Sequence, residues 1–168
     1  MKKFVLEPLK GIGAVNFGDT REQVISVMGT PSIEHESVDY YFDDAIRFDY
    51  NEEGNLEFIE FVNNDEYELE IYGVNPFTLK ANELQELLNQ MNADAIVGKK
   101  QAPLSYVFVG ISTAIYRDAS EQDILVSIEE AKQDGTYEED KEWLDEELEK
   151  YSYFQTIGIG CKDYYTAT

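Results

Sequence analysis

The chain has 168 residues, of which 35 are acidic and 13 are basic, and its formal net charge at pH 7 is −22. Such a charge repels nucleic acids and anionic membranes, and it speeds association with basic partners. Because 43% of the residues are hydrophobic and 13% are aromatic, the composition excludes a disordered acidic tail and predicts one folded domain over residues 1–168.

The cysteine content and the N-terminal residues predict a cytoplasmic protein. Cys161 is the only cysteine, which excludes an internal disulfide. Glu7, Pro8 and Lys10 interrupt the apolar run that begins at Phe4, so we expect no cleavable signal peptide. No stretch approaches the roughly 20 apolar residues that span a bilayer, and we expect no membrane contact.

The first half of the chain predicts one helix followed by strands. The helix begins at Asp19 or Thr20, which are both good N-caps, and ends at Gly29 and Pro31. Segments rich in Tyr, Phe and Ile follow, separated by polar turns, and they predict a four-stranded antiparallel meander. The four predicted strands cover residues 38–42, 45–50, 56–62 and 67–72.

The second half repeats this order and adds an acidic helix. Leucines at helical spacing predict a helix over residues 79–92, and apolar segments predict strands over 105–109, 113–117 and 124–129. A strongly acidic helix between residues 133 and 150 and a last strand over 153–159 complete the chain. The predicted fold class is therefore α+β, an antiparallel sheet with packed helices.

A weak internal similarity suggests a tandem, beta-lactamase-inhibitor-like helix-plus-sheet unit. A displacement of sixty residues places Gly13, Phe17, Val24, Val27 and Met28 on Gly73, Phe77, Leu84, Leu87 and Leu88. The predicted repeats cover residues 11–72 and 73–130, and the acidic helix and final strand (133–168) lie outside them. The spacing shared by any two amphipathic helices is the alternative explanation.

Residues 49–60 have the spacing of a calcium-binding EF-hand loop, with oxygen ligands at positions 1, 3, 5, 9 and 12 and Gly54 at position 6. Glu53 stands where that loop has Asp or Asn. The flanking segments look like strands, whereas the calcium loop requires helices. A hairpin turn is therefore the favoured interpretation, and a calcium- or other metal-responsive binding domain is the alternative function.

The residue inventory favours a protein that is not an enzyme and needs no cofactor or metal. His35 and Cys161 are the only residues of their types, so zinc sites and Ser-His-Asp triads lack their usual parts. Paired carboxylates could serve glycoside hydrolysis, but in so acidic a chain no pair stands out. The glycine pairs at Gly11 and Gly158 lack the rest of a dinucleotide motif.

Residues 17–31 read Phe-Gly-Asp-Thr-Arg-Glu-Gln-Val-Ile-Ser-Val-Met-Gly-Thr-Pro. This stretch resembles the helix opening, Gly-Met-Thr-Arg-Glu-Gln-Val followed by Gly-x-Pro, of the small-lipoprotein and beta-lactamase-inhibitor-like family that includes the outer-membrane assembly component BamE. The resemblance implies a helix packed on an antiparallel sheet, sometimes in tandem, that binds proteins. Gly18-Asp19 replaces the Gly-Met pair, and no cysteine near the N-terminus is present to carry a lipid, which argues against an envelope role.

Acidic residues interleaved with tyrosines predict a protein-binding surface, since carboxylates select Arg and Lys while Tyr favours interfaces. As a small acidic chain with this order of helices and strands, the protein is similar in general type to the immunity proteins that bacteria make against their own toxins. The expected partner is a basic toxin domain, specifically a nuclease, and not a nucleic acid. The candidate contact residues are Glu34, Glu36, Asp39, Tyr40, Asp43, Asp44, Glu138, Glu139, Glu142 and Glu146.

Overall fold

Two sheets and four α-helices make up the computed structural model, which describes residues 1–166. The first seven strands are β1 (Lys2–Glu7), β2 (Gly11–Ile12), β3 (Val15–Asn16), β4 (Ile33–Glu34), β5 (Val38–Tyr41), β6 (Ile46–Tyr50) and β7 (Leu56–Val62). The other strands are β8 (Tyr67–Ile71), β9 (Val97–Gly98), β10 (Ser105–Phe108), β11 (Thr113–Tyr116) and β12 (Thr156–Gly160). The helices are α1 (Arg21–Met28), α2 (Ala81–Met91), α3 (Glu121–Asp134) and α4 (Tyr137–Tyr151). The predicted α+β class is confirmed.

The larger sheet has eight strands in the order β4-β5-β6-β7-β12-β11-β10-β9, all antiparallel to their neighbours. Side chains alternate between its two faces. One face carries the fully buried Phe48, Ile59 and Ile159 in one cross-strand row, and it holds the main hydrophobic core. The other face, here called the open face, carries a cross-strand row of half-buried side chains: Tyr40, Arg47, Glu60, Ala114 and Val107.

The smaller sheet corrects the predicted meander. The segment expected as the fourth meander strand is β8, which leaves the larger sheet and pairs in parallel with β1. Tyr67 and its inward neighbours pack into the core beside Phe4, whose ring centroid lies 5.4 Å from that of Phe61 in the larger sheet. On the outer side, Lys3 pairs with Glu70 at 2.6 Å. Because β1 is not among the predicted strands, β7 was the only strand available to pair with β8 in the predicted meander.

Residues 124–129, predicted as a strand, lie inside α3, and this prediction is wrong. The apolar run Ile124-Leu-Val has strong β-propensity, but the ends of the segment specify a helix. Ser120 caps the N-terminus by accepting from Asp123 N, while the Asp123 carboxylate accepts from Ser120 N at 2.7 Å. Gly135 ends α3 in the left-handed conformation.

The two halves of the larger sheet share an order of elements. Strands β4 to β7 follow α1, strands β9 to β12 follow α2, and the two sets meet where β7 pairs with β12. The second set is completed only by β12, after α3 and α4 are inserted, so a second unit would extend beyond residue 130. The shared order favours the predicted duplication, which stays a prediction.

Within residues 1–166, none of the helices has the length and apolar character needed to cross a membrane.

Candidate functional site

The candidate residues near the first sheet do not form one surface. Glu34 and Glu36 are exposed at the turn between β4 and β5, whereas Asp43 and Asp44 are exposed at the turn between β5 and β6. These turns lie at opposite ends of a four-residue strand, a separation of about 13 Å. Tyr40 is half-buried on the open face, with its ring edge-on to His35 at 6.0 Å.

The prediction that Asp39 is a contact residue is wrong, because its side chain is fully buried. Its carboxylate accepts a hydrogen bond from Arg21 Nε at 3.0 Å, and this bond raises the pKa of Arg21. Arg21 also donates from Nη1 to the carbonyl oxygen of Glu36 at 3.2 Å. The pair therefore ties the start of α1 to β5, and it gives Arg21 of the 17–31 stretch a structural role.

The second group of candidates lies together on one face of α4. Glu138, Glu139, Glu142 and Glu146 are all exposed, and helical geometry places them within an arc of about 100°. The opposite side of α4 buries Leu144 against Ile124 and Ile128 of α3. The structure therefore brings these four carboxylates onto one solvated face.

Helices α3 and α4 form an antiparallel pair, here called the acidic hairpin (residues 121–151), that concentrates the charge of the molecule. It contains 13 acidic and 3 basic residues, more than a third of all the acidic residues in less than a fifth of the chain. Eight of these acids lie on α4. The negative potential of the molecule is consequently uneven, with its strongest source on this hairpin.

Large apolar side chains are exposed on the same hairpin. Trp143, the only tryptophan, is 58% exposed and lies one helical turn from both Glu139 and Glu146. Leu125 and Val126 on α3 are 44% and 47% exposed. Periodicity in the sequence does not single out Trp143, because the apolar stripe of α4 that packs on α3 contains Leu144 and Leu148 and leaves Trp143 outside it.

Polar contacts fix the base of the hairpin to the sheet. The buried Arg117 donates from Nη1 to the carbonyl oxygen of Tyr151 at 2.7 Å, and its guanidinium lies 4.9 Å from the ring centroid of Phe154. Burial lowers the pKa of Arg117. Ser152 donates to a Glu121 carboxylate oxygen at 3.0 Å. The hairpin is therefore held as a defined projection.

Residues 49–60 form the hairpin that joins β6 and β7, with strands on both sides as the flanking pattern predicts. The Asp49 carboxylate accepts from Arg47 Nε at 2.6 Å, and Asn51 Oδ1 accepts from the backbone N–H groups of Glu53 and Asn55, each at 3.0 Å. Burial raises the pKa of Glu60. Asp49 is thus paired within β6 and Asn51 shapes the turn, and residues 1–166 contain no cluster of three or more His, Cys, Asp or Glu suited to a metal ion.

The only histidine and the only cysteine of the chain lie on different elements. His35 is exposed in the turn between β4 and β5. Cys161 is half-buried directly after β12, where burial raises the pKa of its thiol. A raised pKa leaves the thiol protonated at neutral pH and therefore weakly nucleophilic.

The chain matches no protein-family model, no curated protein and no solved structure. The fold and the surface define an α+β protein with a projecting acidic hairpin. The family resemblance of residues 17–31 stays a prediction.

Proposed function

We propose that this chain is a cytoplasmic, non-enzymatic immunity protein, which binds a basic toxin domain, of the nuclease class, through the acidic hairpin. One observation carries the proposal: 13 acidic and 3 basic residues lie between positions 121 and 151, on two helices that expose Trp143, Leu125 and Val126. The presence of a single cysteine supports the cytoplasmic location.

Charge and shape have separate roles in this proposal. The carboxylates of α4 raise the rate of encounter with a positive surface and pair with Arg and Lys on it. An aromatic side chain that is exposed in the free protein can become desolvated in the complex, which the charged residues around it cannot do at low cost. Tryptophan is among the residues most enriched at binding hot spots. Because a nuclease grips phosphate with basic residues, a protein that covers those residues blocks its substrate.

Co-expression is the direct test. The probe is the C-terminal domain encoded by the reading frame adjacent to the gene of this chain. We expect that domain to stop bacterial growth when it is produced alone and to be tolerated when this chain is produced with it. A domain that is harmless alone, or that stays equally toxic with this chain, would contradict the proposal.

Charge reversal then tests the surface. The triple variant Glu138→Lys, Glu142→Lys and Glu146→Lys should slow association with the purified domain by at least about tenfold and weaken its dependence on salt. The matched control Glu34→Lys, Asp43→Lys and Asp44→Lys changes the net charge equally at the other sites. Equal slowing by both variants would show that total charge, and not the acidic hairpin, determines binding.

A further inference from the structure

The open face of the larger sheet contains a cavity of about 330 Å³ beside the edge strand β9 and its neighbour β10. Its walls include Ile96, Val107 and Val109, and the rings of Tyr164 and Tyr165 close one side. Small-molecule sites have volumes of about 300–1,000 Å³ and mainly apolar walls with a few polar groups. The cavity therefore has the size and lining of a site for a small ligand.

The tyrosine wall is built by residues 161–166, which follow β12 and fold back over the open face. The Tyr164 ring stacks on Phe58 with centroids 4.9 Å apart and planes 9° apart, and Tyr165 packs edge-on against Tyr164 at 5.0 Å. A Cβ atom at Gly160 would lie only 2.6 Å from Tyr164 Cβ, so glycine is needed there for the close approach. This packing holds the wall in place.

The lining differs in charge from the rest of the molecule. Within residues 1–166, no acidic side chain lines the cavity, and Lys100 contributes a cation that makes no ion pair with another residue in that range. By contrast, the groove beside Arg21 is lined by Glu36, Glu52 and Glu57. Asp49, Glu57 and Glu60 act on the hydroxyls of the tyrosine wall from outside the cavity lining. Of residues 1–166, Lys100 is the only charged residue that lines the cavity itself, so Lys100 is the group that favours an anion there.

Hydrogen-bond donors accompany the cation. Ser105 and Gln101 also line the cavity. Burial raises the pKa of the Tyr164 and Tyr165 hydroxyls, which therefore stay protonated at neutral pH. A bound carboxylate would thus meet an ammonium group and neutral donors, with the apolar walls left for a hydrocarbon or aromatic body.

We propose that this cavity is a binding site for a small organic monocarboxylate with an apolar body, with Lys100 facing the carboxylate. The site lies on the open face and uses none of the contact residues proposed for the toxin. Its test is therefore independent of the proposed function.

Octanoate is a suitable probe, with octylamine and octanol as its cationic and neutral counterparts. In a two-dimensional amide NMR titration of the full chain, octanoate should produce saturable shifts concentrated at Gly98, Ser105, Val107 and Tyr165. Octylamine should bind at least about tenfold more weakly. Shifts that do not saturate, shifts spread over the acidic hairpin, or tighter binding of octylamine would overturn the proposal.

Neighbouring lysines supply a matched pair of variants. Lys100→Gln should weaken octanoate binding about tenfold, as expected when one hydrogen bond to a charged group is lost. Lys99 lines a different groove with Asn82 and Gln85, so Lys99→Gln should change affinity less than twofold. Val107→Phe should fill the cavity and abolish binding while circular dichroism stays unchanged. Equal effects of the two lysine variants, or unchanged affinity in Val107→Phe, would refute the site.

Discussion

The two acidic regions of this molecule look alike in sequence and differ in structure. The β4–β6 region carries Glu34, Glu36, Asp39, Asp43 and Asp44, but one acid is buried against Arg21 and the others lie at opposite ends of β5. In the acidic hairpin, the four candidate carboxylates of α4 share one exposed face. Strand geometry turns alternate residues to opposite faces, whereas a helix collects residues three and four apart. Acid density along a sequence therefore becomes a charged surface more readily on a helix.

The largest expected effect comes from the buried acid of the first region. Asp39→Ala should lower the free energy of unfolding by about 3 kcal/mol, because it leaves Arg21 beside an empty acceptor position in the core. Urea denaturation measures this loss. Glu142→Ala, which removes an exposed acid of the hairpin, is the control and should change stability by less than about 0.5 kcal/mol.

A double variant sharpens the interpretation of Asp39. Replacing both partners with apolar residues, Arg21→Met with Asp39→Leu, removes the unpaired charge, so it should recover much of the stability lost in Asp39→Ala. If Asp39→Ala were as stable as wild type, the Arg21–Asp39 pair would contribute nothing to the stability of the fold.

The anchor of the hairpin should have the next largest effect. Arg117→Met keeps much of the apolar stem but removes the hydrogen bond to the Tyr151 carbonyl and the contact with Phe154, at a cost of about 2 kcal/mol. Amide hydrogen exchange should accelerate in α3 and α4 more than in β5 to β7. Uniform acceleration across the chain would contradict a local anchoring role.

The comparison also shows which parts of the structure the sequence could predict. Local signals placed α1, α2 and α4 and the strands β5 to β7 close to their observed positions, since caps, glycine stops and polar turns act within a few residues. The parallel pairing of β8 with β1 depends on a contact between residues about 65 positions apart, for which no local signal exists. The burial of Asp39 depends on which residues of β5 face the core. Because Tyr40 points to the open face, its neighbour Asp39 points into the core.

The pH dependence of the hairpin tests its N-cap, with a smaller effect. Hydrogen bonds from the Ser120 side chain and backbone lower the pKa of Asp123 below its ordinary value of 3.8. Because the pKa is lower in the folded state, the ionised carboxylate stabilises the fold at pH values above its ordinary pKa. This contribution is lost as the pH falls through the folded-state pKa. The difference in melting temperature between wild type and Asp123→Asn should therefore be present at pH 6 and shrink below pH 4. A difference that is constant from pH 6 to pH 3 would show that ionisation of Asp123 does not stabilise the cap.

The smallest expected effect concerns the turn between β6 and β7, the part of the first region that imitates a calcium loop. An ion that binds only the folded state must raise the melting temperature as its concentration increases. Here Asp49 is paired with Arg47, and Asn51 Oδ1 accepts two backbone hydrogen bonds of the turn, so an ion would have to displace Arg47 and break the hydrogen bonds that shape the turn. We expect millimolar calcium to shift the midpoint by less than about 1 °C, and by no more than magnesium at the same ionic strength, because both ions screen the repulsion among 35 carboxylates. A calcium-specific rise that Asp49→Asn abolishes would restore the metal-binding hypothesis, and it would give the first region a function that its scattered acids do not otherwise support.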